Sequence, residues 1–250
     1  QMKKIILGLM ILYSTVFADK ITIFAASDLK FALDEIKNLY TSLNKDININ
    51  LIYGSSGKGM NQIENGAPFD LYFSANEIYV ENLYKKGLLI EKPKLYGLGR
   101  IAIWSKNKNF DKNKGFDNLK EPWVSKIAIA NPEHAPYGEK SKQALEKVGL
   151  YKEIEKNLVF AENISAATNM INIQAAQIGI IALSLALAPT IEEQNNYFLI
   201  DRSFHEPLFQ AYSITKYAQN NKEAKDFYKF ISSDESLKIL KKYGFEVPNE

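Results

Sequence analysis

Hydrophobic and polar positions follow two recurring patterns along the chain: short runs rich in Ile, Val, Phe and Tyr, and longer amphipathic stretches between them. The run ITIFAA predicts a strand, and the next stretch places Leu29, Leu33 and Ile36 on one helical face. The same pair of patterns recurs twice more, with the later helices closed by Gly66 and Gly87. This β-α-β-α-β-α order predicts a mainly parallel sheet with helices on both faces.

A second alternating set follows a strand-like run at 100–106. It comprises KIAIAN, the helical EKSKQALEKVG, NLVFAE, the helical SAATNMINIQAAQ and IGIIAL. A return strand at 208–216 and terminal helices at 222–244 are expected to pack back on the first unit. We therefore predict an α/β protein of two lobes with a cleft, where the carboxyl ends of strands and the N-termini of helices meet.

The predicted lobes divide the chain unevenly. Lobe I comprises 19–98 and 213–250, and lobe II comprises 99–212. Residues 1–18 have two lysines, a short apolar run and small residues before Ala18, which predicts a secretory signal peptide. We therefore expect a periplasmic protein, with no membrane insertion after the signal is cleaved.

Composition narrows the classes of partner and chemistry. The formal net charge is +2, and the two lysines of the signal segment account for all of it. Neither a basic block nor a basic amphipathic helix is present, so nucleic acid is not an expected partner. The chain has no cysteine, which excludes disulfides and a lipid anchor on cysteine. The two histidines, His134 and His205, are far apart in sequence and predict neither a metal site nor a cofactor site.

The stretch YGSSGKGMNQI has the general form of a phosphate-binding loop. The nucleotide-binding pattern requires a glycine where this chain has Ile52 and a Ser or Thr where it has Gly59, so we do not expect a nucleotide. Small residues and hydroxyls remain at a strand-to-helix junction, where free N–H groups can face an anion. Lys58 in this stretch is interpreted as a solvated side chain, because burying it beside a small anion is costly.

Four such junctions occur at the ends of predicted strands. They contain Ser27, the pair Ser55 and Ser56, the turn before Tyr137, and the turn around Ile164. A serine in this place usually caps its helix. Because all four junctions are expected at one cleft, we predict an anion site built from neutral N–H and O–H donors.

The segments TIFAASDLKFAL, GSSGKGMNQIENGAPFDLYFSAN, ANPEHAPYGEKSKQALEKVGL and FYKFISSDESLKILKKYGF resemble the periplasmic molybdate-binding protein family of ABC uptake systems. The resemblance implies a type II periplasmic binding protein fold, a monomer, a molybdate or tungstate ligand, and an ABC permease with a cytoplasmic ATPase as partner. By position it implies hydroxyl and amide donors at Ser27 and Ser56, and backbone amides at Tyr137 and Ile164. Ser55 and the position of Ala182 are possible additional contacts.

One position departs from the family pattern. Family members have a tyrosine that donates its hydroxyl to the anion, and this chain has Ala182 at the matching place. We expect a neighbouring group to fill the gap, with the Tyr137 side chain preferred over Ser184.

Two other readings stay open. One is a protein of the same fold that binds another oxyanion, such as sulfate or phosphate. The other is a serine hydrolase, because His134 lies near the predicted site. The chain lacks the G-x-S-x-G elbow of many hydrolases, so we expect a binding protein and not an enzyme.

Overall fold

The computed structural model describes residues 19–189, 191 and 196–247. The predicted signal peptide, residues 1–18, lies outside this range. Among the described residues, no helix combines the length and apolar character that a membrane span requires.

The described residues form ten strands. These are β1 (Asp19–Ala26), β2 (Ile47–Gly54), β3 (Leu71–Ser74), β4 (Lys94–Gly99), β5 (Ile101–Trp104), β6 (Ile127–Ala130), β7 (Leu158–Ala161), β8 (Ile178–Ala182), β9 (Tyr197–Leu199) and β10 (Leu208–Ile214).

The described residues also form nine α-helices. These are α1 (Lys30–Leu43), α2 (Ser56–Glu64), α3 (Glu77–Lys85), α4 (Pro136–Lys147), α5 (Tyr151–Ile154), α6 (Ile164–Asn172), α7 (Leu183–Ala186), α8 (Lys222–Phe230) and α9 (Asp234–Lys242). A 3-10 turn, Ser27–Leu29, leads directly from β1 into α1.

The strands make two five-stranded sheets with the same topology. The first has the order β2-β1-β3-β10-β4 and the second β7-β6-β8-β5-β9. In the first sheet β10 runs antiparallel to both its neighbours, and in the second β5 does so. The other pairs are parallel. Four strands of each sheet thus share one direction, which confirms the two-lobed fold with mainly parallel sheets.

Helices cover both faces of the first sheet because its strands bury side chains on both sides. On one face Ile21 and Ile23 pack with residues of α1, α8 and α9, including Phe227. On the other face Phe24 packs with residues of α2 and α3, including Leu83. The C-terminal helices therefore return to the first sheet, as predicted. We call this sheet with its helices the first lobe, and the second sheet with its helices the second lobe.

The chain crosses between the sheets at Arg100, which separates β4 from β5, and again between β9 and β10. The predicted lobe boundary at residue 213 falls inside β10, whose whole length belongs to the first sheet. The division into lobes stays a prediction, and we move this boundary to Leu208.

Three local predictions differ from the structure. The segment before the first crossing, KLYGLG, forms strand β4. Its two glycines interrupt the hydrophobic pattern, so the sequence did not predict a strand there. The short strand β9 was also missed. Helix α6 ends at Asn172, before the predicted end at Gln177. Gln174 has a φ of 60°, which a right-handed helix cannot contain, so the helix cannot extend through it.

Candidate anion site between the lobes

A small cavity lies between the lobes where four helical segments begin. Its lining includes the predicted residues of both lobes, which are Ser27, Ser55, Ser56, Tyr137 and Ile164. The structure thus brings together the residues of all four predicted junctions. The centre of a water-sized sphere can move through about 10 Å³ of the cavity, which is about the space of one water molecule.

The first lobe brings two buried serine hydroxyls to the cavity. Ser56 begins α2, and its Oγ accepts a hydrogen bond from the Ala75 N–H at 2.9 Å, which leaves the hydroxyl proton available. Ser27 follows β1, and its Oγ donates to Asn163 Oδ1 at 3.1 Å across the cleft. A serine hydroxyl can rotate, so both serines can offer a proton to a ligand.

The second lobe brings the N-termini of α4 and α6. Pro136 and Tyr137 are the first two residues of α4, and Ile164 is the first of α6. The Asn163 side chain caps α6 by accepting from the Ala166 N–H at 2.9 Å. Because the first N–H groups of a helix have no acceptor within it, the Tyr137 and Ile164 amides are available to a ligand.

Cations do not line the cavity within the part of the chain that the structure describes. Lys58 lies outside it, and its Nζ forms an ion pair with Glu162 Oε1 at 3.0 Å across the cleft. The Lys58 side chain is 47 % exposed, which agrees with its interpretation as a solvated group. The favourable potential for an anion therefore comes from helix N-termini and hydroxyl dipoles.

A carboxyl group also lines the cavity. Asp28 is 1 % exposed, and its Oδ2 accepts from the Tyr137 hydroxyl at 2.9 Å. Gln210 Nε2 donates to the same Tyr137 hydroxyl at 2.9 Å. Burial raises the pKa of Asp28 to about 6, against smaller opposing effects of Tyr137, Gln210 and the backbone N–H groups of Asp28 and Leu29.

The expectation that the Tyr137 side chain fills the place of the missing family tyrosine stays a prediction. Its hydroxyl proton is directed to Asp28, and this bond is made within the cleft. Ser184, the other candidate, donates its hydroxyl to the Asp28 carbonyl oxygen at 2.8 Å. Ala182 itself ends β8 opposite Ile101, is fully buried, and does not line the cavity.

Ser55 and His134 form a pair with the geometry of a nucleophile and its base. His134 Nδ1 lies 3.0 Å from Ser55 Oγ. Among the described residues, no carboxylate bonds to His134 to orient it, as a catalytic triad requires. The geometry therefore favours a structural contact between the lobes.

The main chain joins the lobes beside this pair. The Gly57 N–H donates to the His134 carbonyl oxygen at 3.0 Å. A Cβ at Gly57 would lie 2.8 Å from that same oxygen, so the close approach requires glycine. The cleft is closed in this structure by contacts from both lobes.

A metal centre has no support in the described residues. No group of three or more His, Cys, Asp or Glu side chains there is placed to hold a metal ion. His205, the second histidine, lies away from the cavity and contacts the Glu206 carbonyl oxygen at 2.7 Å.

Sequence reasoning missed two polar residues of the site. Asp28 directly follows Ser27. Acidic residues are common in the first turn of a helix, where they interact favourably with the helix dipole, so this position alone did not assign Asp28 to the site. Gln210 lies in a strand far along the chain, and it meets Tyr137 only where the two lobes come together. The sequence did contain one signal, which is that an acidic residue lies at a strand-to-helix junction predicted to bind an anion.

Comparisons with known proteins agree with this architecture. Residues 21–246 match the family model described as bacterial extracellular solute-binding protein. YvgL of Bacillus subtilis is 31% identical over 229 residues, covering 90% of this chain and 85% of that protein. It carries the provisional name of an ABC transporter substrate-binding lipoprotein.

Two further matches bear names that state a ligand. The molybdate-binding protein ModA of Escherichia coli is 27% identical over 234 residues, covering 91% of this chain and 89% of that protein. The solved structure of the periplasmic molybdate-binding protein of Azotobacter vinelandii superposes with a TM-score of 0.85 at 25% identity. That match covers 92% of this chain and 100% of the other.

Proposed function

Because the chain belongs to the bacterial extracellular solute-binding protein family, we propose that it captures molybdate outside the cytoplasm and delivers it to an ABC transporter permease. Tungstate is a second ligand of the same site. The names of ModA relatives support the choice of ligand. The protein acts as a monomeric receptor with no cofactor and no catalytic step.

The observation that carries the proposal is the convergence of four helical N-termini on one small cavity that no cation lines among the described residues. We assign the Ser27 and Ser56 hydroxyls and the Tyr137 and Ile164 amides as donors to the anion. Ser55 is the remaining serine at the cavity and is held by His134.

Donor chemistry favours a fully ionised tetrahedral oxyanion. Molybdate has only acceptor oxygens near neutral pH, so it matches a set of N–H and O–H donors. Protonated phosphate has an O–H that requires an acceptor. Molybdate and tungstate share charge and shape, so the site separates them weakly.

Binding would close the cleft. The anion accepts from donors of both lobes, and it favours the closed arrangement by its higher affinity for that arrangement. Contacts already present between the lobes, such as the Gly57 N–H to the His134 carbonyl oxygen and Lys58 to Glu162, add to closure. The permease then recognises the closed surface. A cleaved signal peptide would place the protein in the periplasm.

Isothermal titration of the purified protein with molybdate, tungstate, sulfate and phosphate tests the proposal. We expect tight binding of molybdate and tungstate with similar affinities, and binding of sulfate at least tenfold weaker because donors spaced for a larger tetrahedron reach it at stretched distances. Binding of sulfate or phosphate tighter than molybdate would overturn the ligand and support the other oxyanion class.

A further inference from the structure

The two carboxyl oxygens of Asp28 differ in their hydrogen bonding. Oδ2 accepts from Tyr137, whereas Oδ1 is buried and forms no hydrogen bond of ordinary geometry in the described part of the molecule. The Asp28 and Leu29 N–H groups and the Gln210 amide lie close enough to lower the pKa of the carboxyl, but their geometry does not satisfy Oδ1. The residue lines the same cavity as Ser27 and Ser56. A buried polar atom without a partner costs free energy unless a ligand satisfies it.

The groups around this carboxyl come from four elements and are neutral at neutral pH. Tyr137 of α4 donates to it, and Gln210 of β10 donates to that tyrosine. Burial and, after it, the nearby Asp28 carboxylate raise the pKa of Tyr96 of β4, and Ser184 of α7 donates to the backbone carbonyl of Asp28. Among the described residues, no Lys, Arg or His contributes to the pKa of Asp28.

A dianion and an ionised carboxylate in one small cavity repel each other strongly, because a dry site screens charge poorly and no cation stands between them. The neutral acid removes that repulsion. It also supplies an O–H donor at the oxygen that forms no other hydrogen bond.

We propose that Asp28 contacts the bound oxyanion as a neutral carboxylic acid, with the Oδ1–H group donating to an anion oxygen, so that each dianion bound takes up one proton. This inference rests on the proposed function and assigns a further ligand residue to the same site. The proton comes from solvent and is released with the anion, so no bond other than hydrogen bonds forms or breaks.

The inference has consequences for selectivity and for pH. A protonated Asp28 is a donor, so it favours anions whose oxygens all accept and disfavours hydrogenphosphate, whose O–H would meet another donor. The bound dianion raises the pKa of Asp28 above its value of about 6 in the unliganded cavity. Proton uptake therefore occurs above pH 6, and affinity falls as pH rises, by up to tenfold for each pH unit.

The first test is calorimetry of molybdate binding at pH 7.5 in HEPES and in Tris, whose ionisation enthalpies differ. We expect a buffer-dependent heat that corresponds to nearly one proton taken up. Asp28→Asn keeps a donor but cannot titrate, so its heat should not depend on the buffer and its affinity should change less than threefold between pH 6 and pH 8.5. Asp46→Asn, at an exposed aspartate of the same lobe, should behave like the unmodified protein.

A second variant keeps the test valid if Asp28→Asn does not fold. Tyr137→Phe removes the hydrogen bond that favours the charged carboxylate, so the fall in affinity should move to higher pH. Buffer-independent heat in the unmodified protein, together with unchanged pH profiles in both variants, would overturn the inference. Hydrogenphosphate binding as tight as molybdate would also overturn it, since Asp28 would then be an acceptor. Absence of binding by the unmodified protein at every pH would instead reject the proposed function.

Discussion

The Tyr137 hydroxyl donates to Asp28 Oδ2 at 2.9 Å, which joins a residue of the second lobe to one of the first inside the cleft. Both side chains are buried, and the buried amide of Gln210 completes the network. The tyrosine that the sequence suggested as a direct anion donor therefore acts on the acid. Because the bond joins the two lobes, closure of the lobes and the protonation state of Asp28 depend on each other.

Replacing either cavity serine should weaken anion binding. Ser27→Ala and Ser56→Ala each remove a hydroxyl that donates to a charged ligand, which corresponds to about 1.5–3 kcal/mol, or roughly tenfold to more than a hundredfold in Kd. Calorimetry with molybdate measures the loss.

The matched control for these serines is Ser42→Ala, on the exposed side of α1, where the hydroxyl only donates to the Leu39 carbonyl oxygen. Its affinity should equal that of the unmodified protein. Unchanged binding by both cavity variants would mean that the anion lies elsewhere.

Removing the charge of Lys58 should change molybdate affinity by less than about fivefold. The side chain is half exposed and pairs with Glu162, and such exposed pairs contribute only about 0.2–1 kcal/mol. We expect Lys58→Met and Glu162→Gln to give the same small effect, since each breaks the same pair from a different lobe. A loss above tenfold in Lys58→Met alone would show that the lysine touches the anion.

Stability should depend on pH through Asp28. Its folded pKa of about 6 lies above the ordinary value of 3.8, so the folded protein holds this proton more tightly than the unfolded chain. The resulting contribution is complete below about pH 4 and is lost as pH rises through 6, with a size on the order of 3 kcal/mol.

Urea unfolding at pH 5 and pH 7.5 separates this effect from other titrating groups when Asp28→Asn is measured beside the unmodified protein. Carboxyl groups such as Glu35 and Asp226 have lowered pKa values and act in the opposite direction, but they are present in both proteins. The unmodified protein should lose more stability than the variant towards pH 7.5. Parallel changes in the two proteins would contradict the assignment.

Restoring the family tyrosine at position 182 should harm the protein. Ala182 is fully buried in the core of the second lobe, and a ring there overpacks it by about 1–3 kcal/mol or more. We expect Ala182→Tyr to lower the unfolding midpoint and to weaken molybdate binding, whereas Ala182→Ser should do neither strongly. Tighter binding with an unchanged midpoint would reveal room for another donor and would argue against Asp28 in that role.

Much of the fold could be read from the sequence because its strands and helices have distinct periods. Buried runs such as IAIA and IGIIA are short and continuous, and α1 has a clear apolar face. Strand β4 could not be read, because Gly97 and Gly99 interrupt its pattern and its pairing with β10 is set by contacts far along the chain. Pairing of that kind is a tertiary property.

The site was predictable to the extent that it is made of local junctions. Ser27, Ser56 and Ile164 were found because each follows a strand and begins a helical segment. The Asp28 network was not predictable, since it depends on side chains of α4 and β10 that meet only when the lobes come together. The direction of the Tyr137 hydroxyl is a consequence of that meeting.

The bond from the Gly57 N–H to the His134 carbonyl oxygen has a consequence for how this cleft tolerates sequence change. Both atoms belong to the main chain, so the bond survives substitution of the side chain at position 134. Substitution at position 57 would disrupt the bond, because even the methyl group of alanine would clash with that oxygen. A protein with alanine there would fold and retain every anion donor. The clash would keep its two lobes apart, so the open form would predominate and the cleft would rarely close around a ligand.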